Sequence, residues 1–277
     1  MASAQTGEPT SVDCENGAVT EPIAMAGRTW MCDLDGVLWL GPRQIPGSAG
    51  AIDRLRRAGV RVTFFTNNSF ACRVDQHKKF AEFGIEVDDA DLFTSAEAAV
   101  SLIDPAERAY VLGGAGIVEA LGHRGVEIVD GSDPTAVDVV IVGLDYDLSF
   151  ERLTLAVRAC FAGARLVGTN DDATYPTPDG PLPGGGSMLA AVAYAAGVSP
   201  TVAGKPNEPA AALVRDRLGH VDLMVGDRPE TDGAFAVAIG APFALVRSGV
   251  TPPGGEPKLP RAQYDAADLA TLVAQLR

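Results

Sequence analysis

Short apolar runs alternate with amphipathic segments along most of the chain. The segment 48–58 carries Ile52 and Leu55 at helical spacing and stops at Gly59, and the β-branched and aromatic run 60–65 that follows is typical of a buried strand. Further strands are predicted at 28–32, near 92, and at 109–112, 126–129, 139–142, 165–167, 201–203, 222–225 and 243–246, and further helices at 71–83, 150–162, 188–196, 208–218, 232–239 and 264–276. This alternation predicts an α/β protein with parallel sheets.

The pattern divides the chain into two folded units and a leader. Residues 1–26 are polar and rich in Gly, Thr, Ser and Pro, which predicts a disordered leader. Segments 27–95 and 191–277 together predict a Rossmann-like, three-layer core around a central parallel sheet. The intervening segment 96–190 has strands and helices of its own, and we predict that it is an inserted α/β domain.

Polar residues follow four of the predicted core strands. Asp33-Leu34-Asp35-Gly36 follows the first, Thr66-Asn67-Asn68-Ser69 the second, Gly204-Lys205-Pro206 a third, and Asp227 and Asp232 follow the fourth. Strands joined by a right-handed crossover are parallel, so their carboxyl ends share one edge of the sheet, where open α/β sheets bind ligands. The sequence therefore predicts that these residues meet in one site.

The residue types at this edge favour phosphoryl transfer. Carboxylates suit Mg²⁺, and Asp33 and Asp227 are the best candidate ligands, with Asp232 holding a metal-bound water. Thr66, the amides after it and Lys205 can bind a phosphate from the other side. Asp33 can then attack phosphorus to form an aspartyl-phosphate, while Asp35 acts as general acid and base.

Three other motifs admit simpler interpretations. Gly113-Gly114-Ala115-Gly116 resembles a dinucleotide loop but lacks its third glycine, so a strand-to-helix turn is favoured. Asp145-Tyr146-Asp147 precedes a predicted helix start at Ser149 and needs no chemical role. The glycines of 181–187 are consistent with a hinge, a phosphate-binding turn or a plain loop.

Composition and charge narrow the classes of partner. The 277 residues carry 36 acidic and 22 basic side chains, a formal charge of −14, which argues against nucleic acid and anionic membrane surfaces. No apolar run reaches the ~20 residues of a membrane span, and the start lacks the order of a secretion signal, so a cytoplasmic location is expected. The four Cys and three His are scattered without metal-binding spacing.

Taken together, Asp33-Leu34-Asp35-Gly36, Thr66-Asn67-Asn68-Ser69, Gly204-Lys205-Pro206 and Gly226-Asp227-Arg228 resemble the motifs of haloacid dehalogenase (HAD) superfamily hydrolases. The resemblance is to the branch, subfamily IIA, that inserts a large α/β cap between the second and third motifs. It includes 4-nitrophenyl, phosphoglycolate, glycerol-phosphate and pyridoxal phosphate phosphatases.

The resemblance implies a role for each motif residue. Asp33 would be the nucleophile and Asp35 the acid/base, while Asp33, Asp227 and the Asp35 carbonyl would bind Mg²⁺ together with Asp232. Phosphate and substrate contacts would come from the remaining motif and cap residues, namely Gly36, Thr66, Asn67, Asn68, Lys205, Asn170 and Asp172. In the cap segment 169–177, Asp171 replaces an expected proline, and we expect its carboxylate to disfavour highly anionic leaving groups.

The sequence thus predicts a Mg²⁺-dependent phosphatase that hydrolyses a small-molecule phosphate monoester and selects it with the cap. A homodimer formed through the cap is a further expectation. Three alternatives stay open: a phosphomutase, a phospho-accepting receiver-type protein, and a non-catalytic protein that binds phosphorylated ligands.

Overall fold

The computed structural model describes residues 25–177, 179–252, 254 and 259–276. The predicted leader, 1–26, lies outside the described residues except for Met25 and Ala26. Met25 packs against the apolar cluster of the first sheet. The leader boundary at 26/27 stays a prediction.

The described residues form fifteen strands, most of them short and buried. They are β1 (Thr29–Cys32), β2 (Trp39–Leu40), β3 (Arg43–Gln44), β4 (Arg61–Thr66), β5 (Leu92–Thr94), β6 (Arg108–Leu112), β7 (Glu127–Ile128), β8 (Val139–Val142), β9 (Arg165–Gly168), β10 (Thr174–Tyr175), β11 (Leu182–Pro183), β12 (Thr201–Val202), β13 (Leu223–Gly226), β14 (Phe243–Val246) and β15 (Tyr264–Ala266).

Nine α-helices lie between these strands in the described part of the chain. They are α1 (Ser48–Arg57), α2 (Arg73–Glu82), α3 (Ser95–Val100), α4 (Ala115–Arg124), α5 (Phe150–Ala162), α6 (Gly185–Ala196), α7 (Glu208–Leu218), α8 (Ala234–Ala238) and α9 (Leu269–Gln275). A π-helical turn, Pro229–Gly233, precedes α8. Among the described helices, none is both long enough and apolar enough to cross a membrane.

The first sheet has six parallel strands in the order β15-β14-β13-β1-β4-β5. β1 is central, with Met31 opposite Met224 of β13 and Thr63 of β4. Helices α1 and α9 cover one face of the sheet and α3, α7 and α8 the other. The predicted three-layer core with a central parallel sheet is confirmed.

A second parallel sheet has the order β12-β9-β8-β6-β7 and builds the α/β cap. β12 pairs with β9, with Thr201 opposite Val167. The prediction that 201–203 resumes the first sheet was therefore wrong, because apolar composition alone does not select a strand's partner. The boundaries at 95/96 and 190/191 stay predictions.

Side chains alternate between apolar clusters on the two faces of each sheet, as successive residues of a strand must. Trp30 and Cys32 pack on one face of the first sheet and Met31 on the other. In β8, Ile141 belongs to the same cluster as Met31. The buried core is therefore continuous from the first sheet to one face of the second.

Two glycine-rich loops are explained by close packing. Gly114 precedes α4 as its N-cap, and a Cβ on Gly116 would lie 2.5 Å from the carbonyl oxygen of Ala71. The first loop is thus the strand-to-helix turn that the sequence favoured, seated against the loop after β4. α6 begins at Gly185, before the predicted residue 188, and a Cβ on Gly186 would lie 2.3 Å from the Asp171 backbone.

Candidate active site

Asp33 and Lys205 form a buried ion pair at the carboxyl edge of the first sheet. β1 ends at Cys32, so Asp33 is the first residue beyond the strand. Lys205 is 1% exposed, and its Nζ lies 2.8 Å from Asp33 Oδ1 and 2.7 Å from Asp232 Oδ1. Burial alone would lower the pKa of Lys205, but the attraction of both carboxylates outweighs burial and raises it. Lys205 is therefore a fixed positive charge.

Three carboxylates cluster beside this ammonium group. Asp33, Asp227 and Asp232 each present an oxygen within 4.8 Å of the others. Burial raises the pKa of Asp33 well above its ordinary value, although Lys205 opposes the shift. Burial and the nearby Asp232 raise the pKa of Asp227 to about 7. One ammonium group does not balance three carboxylates, of which Asp227 and Asp232 are buried.

The donor set fits a divalent cation. Asp227 Oδ1 is buried and has no hydrogen-bond partner among the described residues. Buried carboxylates are normally paired or bound to a metal, and hard oxygen donors suit Mg²⁺. The residues that could hold the ion are Asp33, Asp227 and Asp232.

The backbone closes tightly around Asp227. Gly36 has φ +90°, and a Cβ on it would lie 2.5 Å from Asp227 Cγ. Val250 donates its N–H to Asp227 Oδ2 at 2.6 Å, and the Ser248 hydroxyl donates to the Gly36 carbonyl at 2.7 Å. Sequence reasoning missed the loop 248–250, although its place just after β14 follows the same strand-end rule as the other motifs.

The second motif is hydrogen-bonded to the third. Thr66 is buried at the end of β4, and its hydroxyl accepts the Asn68 N–H at 3.0 Å. The Asn67 side chain accepts the Lys205 N–H at 2.9 Å and donates to the Lys205 carbonyl at 3.1 Å. Asn67 therefore ties the second and third motifs together.

Asp35 lies apart from the other carboxylates. Its carboxylate is not part of the three-carboxylate cluster, and the metal role of its backbone carbonyl stays a prediction. Its Oδ1 accepts the phenol of Tyr175 at 2.9 Å and lies 3.9 Å from Lys79 Nζ. Burial and the Asp35 carboxylate raise the pKa of Tyr175, so its phenol remains a donor at neutral pH. No sequence signal indicated this contact.

The cap segment after β9 contacts the second motif. Asn170 donates to the Asn67 carbonyl at 2.7 Å, and Asp172 Oδ2 accepts from Asn67 Nδ2 at 3.0 Å. Asp172 Oδ1 also lies 3.6 Å from Arg228, a residue to which the sequence assigned no role. The cap is therefore hydrogen-bonded to the carboxyl edge of the first sheet.

The expectation for Asp171 was wrong. Asp171 is exposed and is not among the residues that line the site, whereas Asp172 is. The Asn170 side chain accepts the Asp172 N–H at 3.2 Å, which turns Asp172 inward. The carboxylate that lines the cavity is thus one residue later than expected.

One cavity collects most of the predicted residues. Gly36 and Asp227 are absent from its lining, although Asp227 lies within 4.8 Å of the lining residues Asp33 and Asp232. The lining residues are Asp33, Asp35, Thr66, Asn67, Asn68, Leu144, Asn170, Asp172, Thr174, Tyr175, Pro176, Gly184, Gly185, Lys205, Arg228, Thr231 and Asp232.

Two family models match the chain. Residues 30–127 match the haloacid dehalogenase-like hydrolase model, and residues 202–272 match a HAD-hydrolase-like model. The acid sugar phosphatase of Staphylococcus haemolyticus is 33% identical over 228 residues, which cover 80% of this chain and 86% of that protein. The Staphylococcus aureus acid sugar phosphatase is 32% identical over 231 residues, or 81% and 88% of the two chains.

Solved structures agree with these matches. The p-nitrophenyl phosphatase from Archaeoglobus fulgidus has a TM-score of 0.81 and 30% identity, covering 90% of this chain and 99% of that one. A glycerol phosphate phosphatase from Mycobacterium tuberculosis, in complex with magnesium, has a TM-score of 0.81 and 31% identity, covering 91% and 78%. The same protein has also been solved in complex with calcium. The chain belongs to the haloacid dehalogenase-like hydrolases, in the branch that carries a large α/β cap, subfamily IIA.

Proposed function

We propose that this protein is a Mg²⁺-dependent phosphatase that hydrolyses small-molecule phosphate monoesters through an aspartyl-phosphate on Asp33. The observation that carries the proposal is the buried arrangement of Asp33 against Lys205 on one side and Asp227 and Asp232 on the other. Relatives that span most of the chain are phosphatases, which supports the same reaction.

Asp33, Asp227, Asp232 and the Asp35 carbonyl would hold the metal ion. Bound there, Mg²⁺ supplies positive charge that offsets the substrate phosphate and the surrounding carboxylates. The unpaired Asp227 Oδ1 and the cluster of three carboxylates, both among the described residues, support this assignment. The magnesium and calcium bound by the M. tuberculosis relative support a divalent cation.

In the first half-reaction, Asp33 attacks phosphorus and the bond between phosphorus and the ester oxygen breaks. Lys205, the Thr66 hydroxyl and the amides of Asn67 and Asn68 bind the phosphate oxygens and favour the charge of the transition state. Asp35 gives its proton to the departing ester oxygen, which leaves as an alcohol.

In the second half-reaction, water attacks the phosphorus of the aspartyl-phosphate. Asp35, now ionised, accepts the proton of that water, and the bond between phosphorus and Asp33 breaks to release inorganic phosphate. Asp35 is thereby reprotonated for the next turnover. Each carboxylate returns to its starting state.

The cavity favours a neutral, hydroxyl-rich leaving group. Asp172 partly neutralises Arg228, so the guanidinium is not free to bind a second anionic group. Thr174, Tyr175 and Thr231 line the same space and offer hydroxyl groups to a polyol. The relatives include an acid sugar phosphatase and a glycerol phosphate phosphatase, and sugars and glycerol carry several hydroxyl groups.

A panel of phosphate esters tests the proposal. The purified protein is assayed with 4-nitrophenyl phosphate, glycerol phosphate, hexose phosphates and phosphoglycolate, with Mg²⁺ and with a chelator. We expect Mg²⁺-dependent release of phosphate, and a loss of at least about a thousandfold in kcat for Asp33→Asn, since the nucleophile is removed.

The matched control is Asp53→Asn, which changes an exposed carboxylate on α1. It should keep wild-type kcat. Absence of turnover with every ester would refute a phosphatase and leave a binding role, and transfer of phosphate between positions of one substrate would indicate a mutase.

The protein's assembly and location belong to the same proposal. Phe150 and Phe161 of α5 and Tyr194 of α6 are exposed to 85%, 71% and 93% on the cap, which supports a homodimer formed through that surface. The net charge of −14 supports a protein that binds neither nucleic acid nor membranes. We also propose that the protein is located in the cytoplasm.

A further inference from the structure

Tyr175 joins the cap to the carboxylate assigned to proton transfer. Its phenol donates to Asp35 Oδ1 at 2.9 Å, a contact between residues 140 positions apart in the chain. Tyr175 lies on β10, which pairs with β11 in a two-stranded antiparallel ribbon of the cap. The contact therefore spans the cleft between cap and core.

The contacts of Asp35 leave its two oxygens unequal. Tyr175 and Lys79 both approach Oδ1, from the cap and from α2 respectively. Lys79 is held in place over the Trp39 ring, 4.4 Å from its centroid. The hydrogen bond from the Tyr175 phenol and the positive charge of Lys79 both act on Oδ1, so the carboxyl group is oriented with Oδ2 directed away from them.

Orientation matters for a group that transfers protons twice per turnover. A carboxyl group that rotates freely rarely has an oxygen directed at the atom with which it must exchange a proton. Positioning of such a group contributes strongly to the rate of the chemical step. The phenol of Tyr175 is the shorter of the two contacts on Oδ1. It is also the one supplied by the cap.

From this geometry we infer that Tyr175 is a positioning residue for the reaction: it holds Asp35 through Oδ1 so that Oδ2 faces the ester oxygen and the attacking water. The inference rests on the proposed function, because it needs Asp35 as the acid/base. If Tyr175 has this role, Asp35 takes the orientation needed for proton transfer only while the ribbon of β10 and β11 is packed against the core.

Tyr175→Phe tests the inference by removing one hydroxyl group and keeping the ring. We expect kcat for glycerol phosphate to fall about tenfold, as for loss of a hydrogen bond to a charged group, while KM stays within about twofold. The fall should be smaller when 4-nitrophenyl phosphate is used in single-turnover formation of the phosphoenzyme, since its leaving group needs no proton.

The matched control is Tyr264→Phe. Tyr264 is the first residue of β15, at the opposite end of its strand from the carboxyl edge, and its hydroxyl accepts from the exposed Gln263 side chain at 3.1 Å, so the variant loses the same hydroxyl group away from Asp35. It should keep kcat and KM. Equal melting temperatures for both variants would show that neither change acts through unfolding.

A double-mutant cycle with Asp35→Asn gives the deciding readout. Because the amide introduced by Asp35→Asn cannot transfer a proton, Tyr175→Phe should produce no further loss of kcat in that background. A further tenfold loss there, or a raised KM with unchanged kcat, would show that Tyr175 acts on the substrate and overturn the inference. Wild-type kcat in Tyr175→Phe would do the same.

Failure of the proposed function has a different signature. If wild-type protein hydrolyses no ester, the assignment of the site itself fails. If wild-type protein turns over and Asp35→Asn is impaired while Tyr175→Phe is not, the phosphatase proposal stands and the positioning role alone is lost.

Discussion

The backbone of Gly36 packs directly against the carboxylate of Asp227: a Cβ atom on Gly36 would lie 2.5 Å from Asp227 Cγ and 2.5 Å from its Oδ2. Gly249 approaches the same carboxylate, and a Cβ on it would also lie 2.7 Å from the Gly36 Cα. Two neighbouring glycine backbones therefore pack against Asp227, and a side chain at either position would displace it.

Replacing Gly36 by Ala should therefore disable the site. The new methyl group must push Asp227 away from Asp33 and Asp232, and the backbone at φ +90° adds a strain of about 1 kcal/mol for a residue with a Cβ. We expect kcat to fall by at least about a hundredfold, measured with 4-nitrophenyl phosphate at saturating Mg²⁺.

Gly84→Ala is the control for the strain alone. Gly84 has φ +70°, and a methyl group added there would meet no described atom within 4 Å, so this variant should lose about 1 kcal/mol of stability and keep wild-type kcat. Equal activity losses in the two variants would mean that backbone strain, and not displacement of Asp227, is responsible.

Asp227→Asn should weaken Mg²⁺ binding and leave the protein folded. The substitution keeps the shape of the side chain and removes the charge of a buried oxygen that has no partner among the described residues. We expect the Mg²⁺ concentration for half-maximal activity to rise by about tenfold or more. Calorimetric titration of the protein with Mg²⁺ should show the same loss of affinity.

Asp216→Asn, on the exposed side of α7, is the control and should keep the wild-type Mg²⁺ requirement. An unchanged requirement in Asp227→Asn would remove this residue from the proposed metal site. Treatment of the wild-type protein with a chelator should abolish activity, and added Mg²⁺ should restore it.

Asp172→Asn should alter substrate preference. Without the Asp172 charge, Arg228 is free to attract an anionic leaving group. We expect kcat/KM for phosphoglycolate relative to glycerol phosphate to rise about tenfold. Asp171→Asn, at the exposed neighbouring position, should leave this ratio unchanged. If Asp171→Asn changed this ratio and Asp172→Asn did not, Asp171 would be the residue that disfavours anionic leaving groups, as the sequence predicted.

Thiol labelling should report the buried environments of Cys160 and Cys32. Burial raises the pKa of Cys160 to about 11, and burial followed by the charge of Asp33 raises the pKa of Cys32 to about 12. A raised thiol pKa lowers the reactive thiolate fraction at pH 8, to about one part in a thousand or less. Cys72 is only half-buried and should label first.

The experiment uses a Cys14→Ser variant, because Cys14 lies outside the described residues. Iodoacetamide at pH 8 should modify Cys72 alone in the folded protein and all three cysteines in guanidinium chloride. Rapid labelling of Cys160 in the folded protein would contradict the burial of this thiol between α5 and the second sheet.

Local pattern was sufficient for most elements of the fold. The helix at 150–162 and the strand at 139–142 have the predicted bounds, and Ser149 caps the helix by accepting the Arg152 N–H at 3.1 Å. Hydrophobic periodicity and capping act over a few residues, so they can be read without knowing what lies elsewhere in the chain.

The sequence alone determined the kind of protein and the location of its chemistry. Asp33, Thr66 and Asp227 each lie at the end of an apolar strand of the first sheet or directly after one, and parallel connections bring such positions to one edge; Lys205 is the exception, because it follows β12 of the second sheet. Because this argument depends on chain order and handedness, it holds without knowledge of any side-chain contact.

Only the tertiary structure decided which residues face one another. It assigned Thr201–Val202 to the second sheet, turned Asp172 and not Asp171 toward Arg228, and placed Tyr175 on Asp35. These outcomes depend on strand partners and side-chain directions set by groups far away in the chain. Local periodicity carries no information about them, since a shift of one residue reverses which side chain points inward.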